Sequence, residues 1–304
     1  MDTPFQNDKV VLGARTFAAR CGLCALLIAP LAASAGQGGN SPVMLRMKFK
    51  PGDVNRYRMT MQMNMTMHMP NQPQPMTVPV NMMMTMEQKV DSVDAKGNGT
   101  VVTTIQNQQV TANGQTAPSP QVPPVTMRLS PQGKILSTQG MPANQVTNMM
   151  GNPFGSGGAN GLTVLLPAKP VKPGDSWTQP VRLPGSALSG TTKNTLIRYE
   201  NVGQFRTARI HTVANLTLKM MMDGQGQPAK TASKAASIIQ GNIKIAGDNN
   251  FAVAEGKLVR MAMNGDAAMK MQQKKAAGAK AGTARPPQNM TMNMKMTAAM
   301  DLLE

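Results

Sequence analysis

The sequence predicts a mainly β protein, built as a large curved antiparallel sheet or a partly open barrel with at most one or two short helices. Three observations support this prediction. Methionine alternates with polar residues along several segments, which places the two kinds of residue on opposite faces of a strand. Turn residues recur at short intervals, as they do in antiparallel sheets. Long stretches with helical periodicity are absent from the sequence.

The clearest alternation extends from Met59 to Met69, where every odd-numbered residue is methionine and every even-numbered residue is polar. It recurs from Met290 to Met296 and, in shorter form, at Met82–Met86. A strand would place these methionines on one face, whereas a helix would distribute them around its circumference. The pattern therefore predicts a sheet with one buried methionine face and one polar face.

Other segments alternate with ordinary β residues: Thr100–Ile105, Thr195–Tyr199, Arg209–Leu218, and Ile243 with Ile245. The best helix candidate is Pro142–Met150, because Val146, Met149 and Met150 are spaced for one helical face.

The chain also contains a repeated sequence motif, which we call the internal echo. Lys-Pro-Gly-Asp occurs at residues 50–53 and again at residues 172–175, each time shortly before an aromatic residue, Tyr57 or Trp177. Later in each part, a Gly-Lys pair separates two strand-like segments, and glycine there supplies the positive φ that closes a hairpin. The echo indicates either a duplicated β unit or the independent use of two common turns.

These features divide the chain into three parts. Residues 1–35 are predicted to be a signal peptide, and residues 36–150 and 151–304 to be two β-rich halves packed as one unit. Arg15 and Arg20 supply positive charge before an apolar stretch from Gly22 to Leu31, and Ala33-Ser34-Ala35 supplies the small residues of a cleavage site. The apolar stretch is about half the ~20 residues that a spanning helix needs.

Cleavage would leave a protein that is exported, to the periplasm, the cell envelope or the medium, without a transmembrane segment. Both cysteines, Cys21 and Cys24, lie in the signal peptide, so no disulfide is expected in the exported part. The net charge of +17 favours an anionic partner such as the envelope surface. Aromatic residues make up only 3% of the chain and no nucleic-acid motif occurs, so nucleic-acid binding is not expected.

Two elements give the chain a family resemblance. Residues 45–53 read Leu-Arg-Met-Lys-Phe-Lys-Pro-Gly-Asp and are followed by Tyr57, and a second element extends from Leu166 to Trp177. With the signal peptide, they resemble an uncharacterised family of exported bacterial β-rich proteins, domain of unknown function family 6263. The resemblance covers most of the exported part. It implies a β-rich exported domain and no catalytic or binding residue.

No motif for catalysis stands out. The two histidines, His68 and His211, lie on strand-like segments and are expected to face outward. The fourteen acidic residues show no clustered pair for acid–base chemistry, and zinc-type spacings and phosphate-binding glycine motifs are missing. The sequence therefore predicts a non-enzymatic protein without a cofactor, with an envelope hydrolase as the remaining enzymatic alternative.

Methionine itself is the remaining chemical candidate. It can serve as a pliable core residue or line a groove for a lipid or other apolar small molecule, and its thioether is a soft ligand for Cu(I) or Ag(I). The sequence favours a non-enzymatic protein that binds a hydrophobic ligand on the methionine face, with Cu(I) or Ag(I) binding as an alternative. The candidate ligand-binding residues are Met59, Met61, Met63, Met65, Met67, Met290, Met292, Met294 and Met296.

Overall fold

The computed structural model describes residues 41–69, 72–118, 123–140, 164–182, 188–223, 229, 235–273 and 289–303. The predicted signal peptide and the helix candidate Pro142–Met150 lie outside the described residues, so both stay predictions.

The described residues form twelve β-strands and no helix. Consequently, none of the described segments is a helix that could cross a membrane. The strands are β1 (Val54–His68), β2 (Met76–Val93), β3 (Gly99–Ala112), β4 (Gln115–Pro118), β5 (Val125–Leu129), β6 (Ile135–Gln139), β7 (Ser176–Arg182), β8 (Leu188–Val202), β9 (Phe205–Met222), β10 (Ser237–Ala252), β11 (Lys257–Gln273) and β12 (Asn289–Leu303).

All twelve strands belong to one antiparallel sheet with β1 and β12 side by side near its middle. From β1 the sheet continues through β2, β3 and β5 to β6, with β4 paired to β3; we call these strands the first wing. From β12 it continues in reverse chain order through β11, β10, β9 and β8 to β7, and these strands form the second wing. The sheet is not closed, because β6 and β7 are its two ends. The prediction of a large curved antiparallel sheet is confirmed.

The strand register gathers the methionines into rows that cross the sheet. Met59 lies opposite Met84 on β2 and opposite Met300 on β12, and Met300 lies opposite Met261 on β11. All four side chains are on the same face, which we call the inner face, and each is at most 5% exposed. In the next row, Met61 pairs with Met82 and Ala298. The alternation in the sequence thus encodes a buried apolar face, as predicted.

The opposite, outer face carries the polar half of the alternation. Thr60, Gln62 and Asn64 are exposed on β1, and ion pairs link neighbouring strands. Arg56 Nε lies 2.9 Å from Glu87 Oε2, and Arg260 Nε lies 2.8 Å from Asp301 Oδ1. Such exposed pairs contribute about 1 kcal/mol or less. The apolar face therefore dominates the stability of the sheet.

Glycines on the second wing permit close strand contacts that no other residue allows. A Cβ at Gly190 or Gly247 would overlap a carbonyl oxygen of the neighbouring strand, that of Asn215 or Ala262, respectively. A Cβ at Gly241 would lie 2.5 Å from the Ala268 oxygen. Glycine within a strand commonly marks a bend or a close backbone approach. These glycines thus permit the close pairing of β8 with β9 and of β10 with β11.

The two Lys-Pro-Gly-Asp sequences form the same turn. Gly52 and Gly174 have φ of 88° and 94°, a conformation that glycine adopts without strain. In each turn the glycine N–H donates to the carbonyl of a strand residue, Val90 or Leu196, whose own N–H donates back to the aspartate carbonyl. The four N···O distances are 2.8, 2.8, 2.8 and 2.9 Å. The two motifs are thus alike in structure as well as in sequence. Duplication of a β unit stays a prediction.

Two segments outside the strands cover one end of the inner face. Val43 and Val171 form an isolated antiparallel bridge between residues 41–50 and residues 164–172. Leu45 and Leu166 of these segments are fully buried in one cluster with Phe251 of β10. We call this end of the sheet the capped end. The opposite end, where β1 finishes at His68 and β12 begins at Asn289, is called the far end.

Candidate functional site

A cavity of about 80 Å³ lies at the capped end. Its apolar lining comes from both wings, since Met86, Val101 and Met127 of the first wing face Phe251 and Leu258 of the second. β5 and β10 are far apart in the strand order. They can line one cavity only because the sheet curves until its inner faces meet. The remaining apolar lining is Met47, Phe49, Val90, Leu129, Val164 and Met300.

The rim of this cavity is polar and carries two lysines. Lys48 Nζ donates to the Ala254 carbonyl at 2.6 Å, and Lys257 Nζ donates to Asn55 Oδ1 at 3.3 Å. The Lys257 ammonium also lies 5.1 Å from the ring centroid of Phe205. The other polar residues of the lining are Asp53, Tyr57 and Gln88. A mostly apolar lining with a few polar groups is typical of small-molecule sites.

Tyr57 lies in the cavity lining and connects β1 to β11 through a hydrogen bond. Its side chain is 4% exposed, and its hydroxyl donates to the Leu258 carbonyl at 3.2 Å. That bond extends from β1 over β12 to β11. Burial raises the pKa of the Tyr57 phenol. The hydroxyl therefore stays protonated and serves as a donor at any physiological pH.

The structure separates the nine predicted ligand-binding methionines into two groups. Five are in the buried core with exposures of 1–3%: Met59, Met61, Met63, Met294 and Met296. Four are only partly buried and lie toward the far end: Met65, Met67, Met290 and Met292. None of the nine lines the cavity at the capped end. Ligand binding by these methionines stays a prediction.

Sequence reasoning missed most of the cavity lining. Met86 belongs to a segment that the alternation identified, but Met127 and Phe251 carry no such pattern. Two turn motifs marked part of the lining: the Lys-Pro-Gly-Asp turn at residues 50–53, which shortly precedes the rim residue Asn55, and the turn at Gly256 and Lys257, both of which line the cavity.

A buried polar chain crosses three strands of the second wing. Thr212 Oγ1 donates to Asn194 Oδ1 at 2.7 Å, and Asn249 Nδ2 donates to Thr212 Oγ1 at 3.0 Å. All three side chains are at most 8% exposed. Buried hydrogen-bonded polar groups of this kind fix strand register. We assign this chain a structural role.

The two histidines lie on the outer face. His68 is exposed at the end of β1, and His211 on β9 is about half exposed. His211 Nδ1 lies 2.8 Å from Asp248 Oδ1, and Arg209 Nε donates to Asp248 Oδ2 at 3.2 Å. His211 does not line the cavity. Among the described residues, no three His, Cys, Asp or Glu side chains are grouped as a metal site.

Asp248 makes a contribution to stability that depends on pH. Partial burial alone would raise the pKa of its carboxyl, but hydrogen bonds from Arg209 and His211 hold that pKa below its ordinary value of 3.8. Ionised Asp248 therefore stabilises the folded state above about pH 4. This contribution is lost as the pH falls through the lowered pKa.

We expect Asp248→Asn to lower the free energy of unfolding at pH 7 by about 1 kcal/mol or less, because the group is partly exposed. The difference from wild type should shrink when urea denaturation is repeated near pH 3. A difference of the same size at both pH values would show that the carboxylate charge is not responsible.

No protein-family model matches the chain, and no curated protein matches it. Among solved structures, lipovitellin, in a structure concerned with lipid–protein interactions, is 12% identical with a TM-score of 0.44. The alignment covers 84% of this chain and 26% of that chain, so this protein spans about a quarter of lipovitellin's length. OpdL of Pseudomonas aeruginosa is 9% identical with a TM-score of 0.22, covering 83% of this chain and 99% of that one. A DUF1329 family protein from Desulfovibrio piger is 7% identical with a TM-score of 0.13, covering 78% and 83%. All three TM-scores are too low to establish a shared fold.

Proposed function

We propose that the protein is an exported, non-enzymatic binding protein that takes the apolar end of a small amphipathic molecule into the cavity at the capped end. The observation that carries this proposal is a cavity with an apolar lining from both wings and a rim with two lysines. Apolar contacts inside the cavity and polar groups at its rim together suit recognition of an amphipathic molecule.

The size of the cavity limits what can enter. Its volume of about 80 Å³ is well below the roughly 300–1,000 Å³ of pockets that enclose drug-sized molecules. Only the end of an acyl chain or a similar small apolar group fits, while the rest of the molecule extends over the rim. Methionines at positions 47, 86, 127 and 300 line the cavity. Because methionine side chains adapt readily, the cavity can enlarge around a ligand.

The charge of the rim favours an acidic head group. Lys48 and Lys257 provide two ammonium groups beside the cavity, against the single carboxylate of Asp53. The whole chain carries a net charge of +17, which raises the local concentration of anions. A medium-chain fatty acid combines the apolar end and the acidic head that this site requires.

We expect dodecanoate to bind the purified protein with one site, as measured by calorimetry and by native mass spectrometry. Met127→Trp and Val101→Phe, which place larger side chains in the cavity, should abolish binding while circular dichroism shows the same β spectrum. The double variant Lys48→Gln/Lys257→Gln should weaken binding by about 3- to 10-fold, the effect of losing two exposed charge pairs.

A matched control removes two lysines from the outer face, Lys244 and Lys295, which are exposed on β10 and β12. The variant Lys244→Gln/Lys295→Gln has the same net charge as the rim variant and should bind dodecanoate like wild type. Failure of the wild-type protein to bind, or binding that survives both folded cavity-filling variants, would refute the proposal.

A further inference from the structure

We propose that the far end of the inner face binds a soft monovalent cation, Cu(I) or Ag(I), through methionine thioethers. This site is distinct from the cavity at the capped end. Its ligands are three methionines, Met67, Met76 and Met292, from a row of four that crosses four adjacent strands. Met67 on β1 lies opposite Met76 on β2 and opposite Met292 on β12, and Met292 lies opposite Met269 on β11. The next row outward adds Met271, paired with Met290.

The register brings these sulfurs within reach of one ion. Side chains directly opposite each other on antiparallel strands have Cβ atoms about 4.5–5.5 Å apart. A methionine sulfur lies two bonds beyond Cβ on a side chain with freely rotating torsions. The thioethers of Met67, Met76 and Met292 can therefore converge on an ion between them without movement of the backbone. Met76 joins this group only through the pairing of β2 with β1.

Three of the four methionines in this row are more accessible than those in the row of Met59, while the fourth, Met269, is 5% exposed. Met67 and Met292 are partly exposed and Met76 is 43% exposed. In the row of Met59 every methionine is at most 5% exposed, so its sulfurs are enclosed by packing. An ion from solvent can reach Met67, Met76 and Met292, whereas it would have to open the core to reach Met59.

The donor set selects the metal. Thioether sulfur is a soft, neutral ligand, which suits Cu(I) and Ag(I) and does not suit Mg²⁺ or Ca²⁺. Neutral ligands leave the charge of the ion uncompensated, which favours a monovalent cation. His68 points to the opposite face from Met67, since neighbouring strand residues alternate. The described residues form no group of three or more His, Cys, Asp and Glu side chains that could hold a metal ion.

The test is a silver nitrate titration of the full chain, followed through the ¹³C signals of labelled methionine methyl groups. Near one equivalent of Ag(I), the methyl signals of Met67, Met76 and Met292 should shift and saturate, while those of Met59 and Met261 stay unchanged. Competition with bicinchoninate should show the same stoichiometry for Cu(I).

The variant Met67→Leu/Met292→Leu keeps the apolar volume and should lose at least about tenfold in Ag(I) affinity, the cost of removing two of three ligands. The control Met61→Leu/Met296→Leu changes two fully buried methionines and should bind Ag(I) like wild type. Dodecanoate binding should be unchanged in both variants, so failure of this site and failure of the cavity are distinguishable. Uniform shifts of all methyl signals, or unchanged affinity in Met67→Leu/Met292→Leu, would overturn the proposal.

Discussion

Met59→Ala should lower the free energy of unfolding by about 2–5 kcal/mol, the usual cost of truncating a buried methionine to alanine. Met59 is 1% exposed in the middle of the inner face and belongs to the largest apolar cluster. Its partners across the strands, Met84 and Met300, are equally buried and cannot fill the space without leaving their own positions. The measurement is urea denaturation followed by far-ultraviolet circular dichroism.

Two controls show whether the loss of stability comes from removing buried volume or from removing a methionine as such. Met83 is next to Met84 on β2 but faces outward and is 44% exposed, so Met83→Ala should change stability by less than about 0.5 kcal/mol. Met59→Leu keeps the volume of the side chain and should cost less than about 1.5 kcal/mol. Equal losses for Met59→Ala and Met83→Ala would mean that the methionine face is not the core.

Gly247→Val should destabilise the protein by about 3 kcal/mol or more, at or beyond the upper end of the usual cost of overpacking. Any Cβ at this position would overlap the Ala262 carbonyl and crowd the Met263 side chain on β11. To make room, β10 must move away from β11, which weakens the hydrogen bonds between them. We would measure the thermal midpoint and the urea midpoint, with Gly247→Ala as the milder substitution.

Ala246→Val is the matched control, because Ala246 is the neighbouring residue of the same strand and points to the outer face. Valine is favoured in strands, so this variant should have nearly wild-type stability. If Gly247→Val were as stable as Ala246→Val, the close approach of β10 and β11 would not be a feature of the fold.

The local part of the fold was predictable from the sequence. Alternation with period two assigned Met59, Met61 and Met63 to a buried face, and the structure places all three there. Positive φ was expected at the glycines of the two Gly-Lys turns, and Gly133 and Gly256 have φ of 81° and 67°. Both inferences succeed because strand pleat and turn geometry depend only on neighbours in the chain.

The non-local part was not predictable in this way. The pairing of β1 with β12 joins residues more than two hundred positions apart, and nothing in either strand specifies that partner. The cavity depends on this pairing and on the curvature of the sheet. The sequence therefore could not show that Met127 and Phe251 line it. The alternation also gave Met67 the same pattern as Met59. The alternation assigns a residue to a face of the strand, but it does not show how exposed each residue of that face is to solvent.

The exposure of individual methionines tests the account most directly, because sulfoxide formation follows solvent access. The full chain would be treated with dilute hydrogen peroxide, and oxidation at each methionine would be followed by peptide mass spectrometry. We predict that Met44, Met76 and Met83, each 43–44% exposed, oxidise first. Met59, Met261 and Met296, at most 3% exposed, should oxidise at least about tenfold more slowly. Equal rates in both groups would contradict a methionine core.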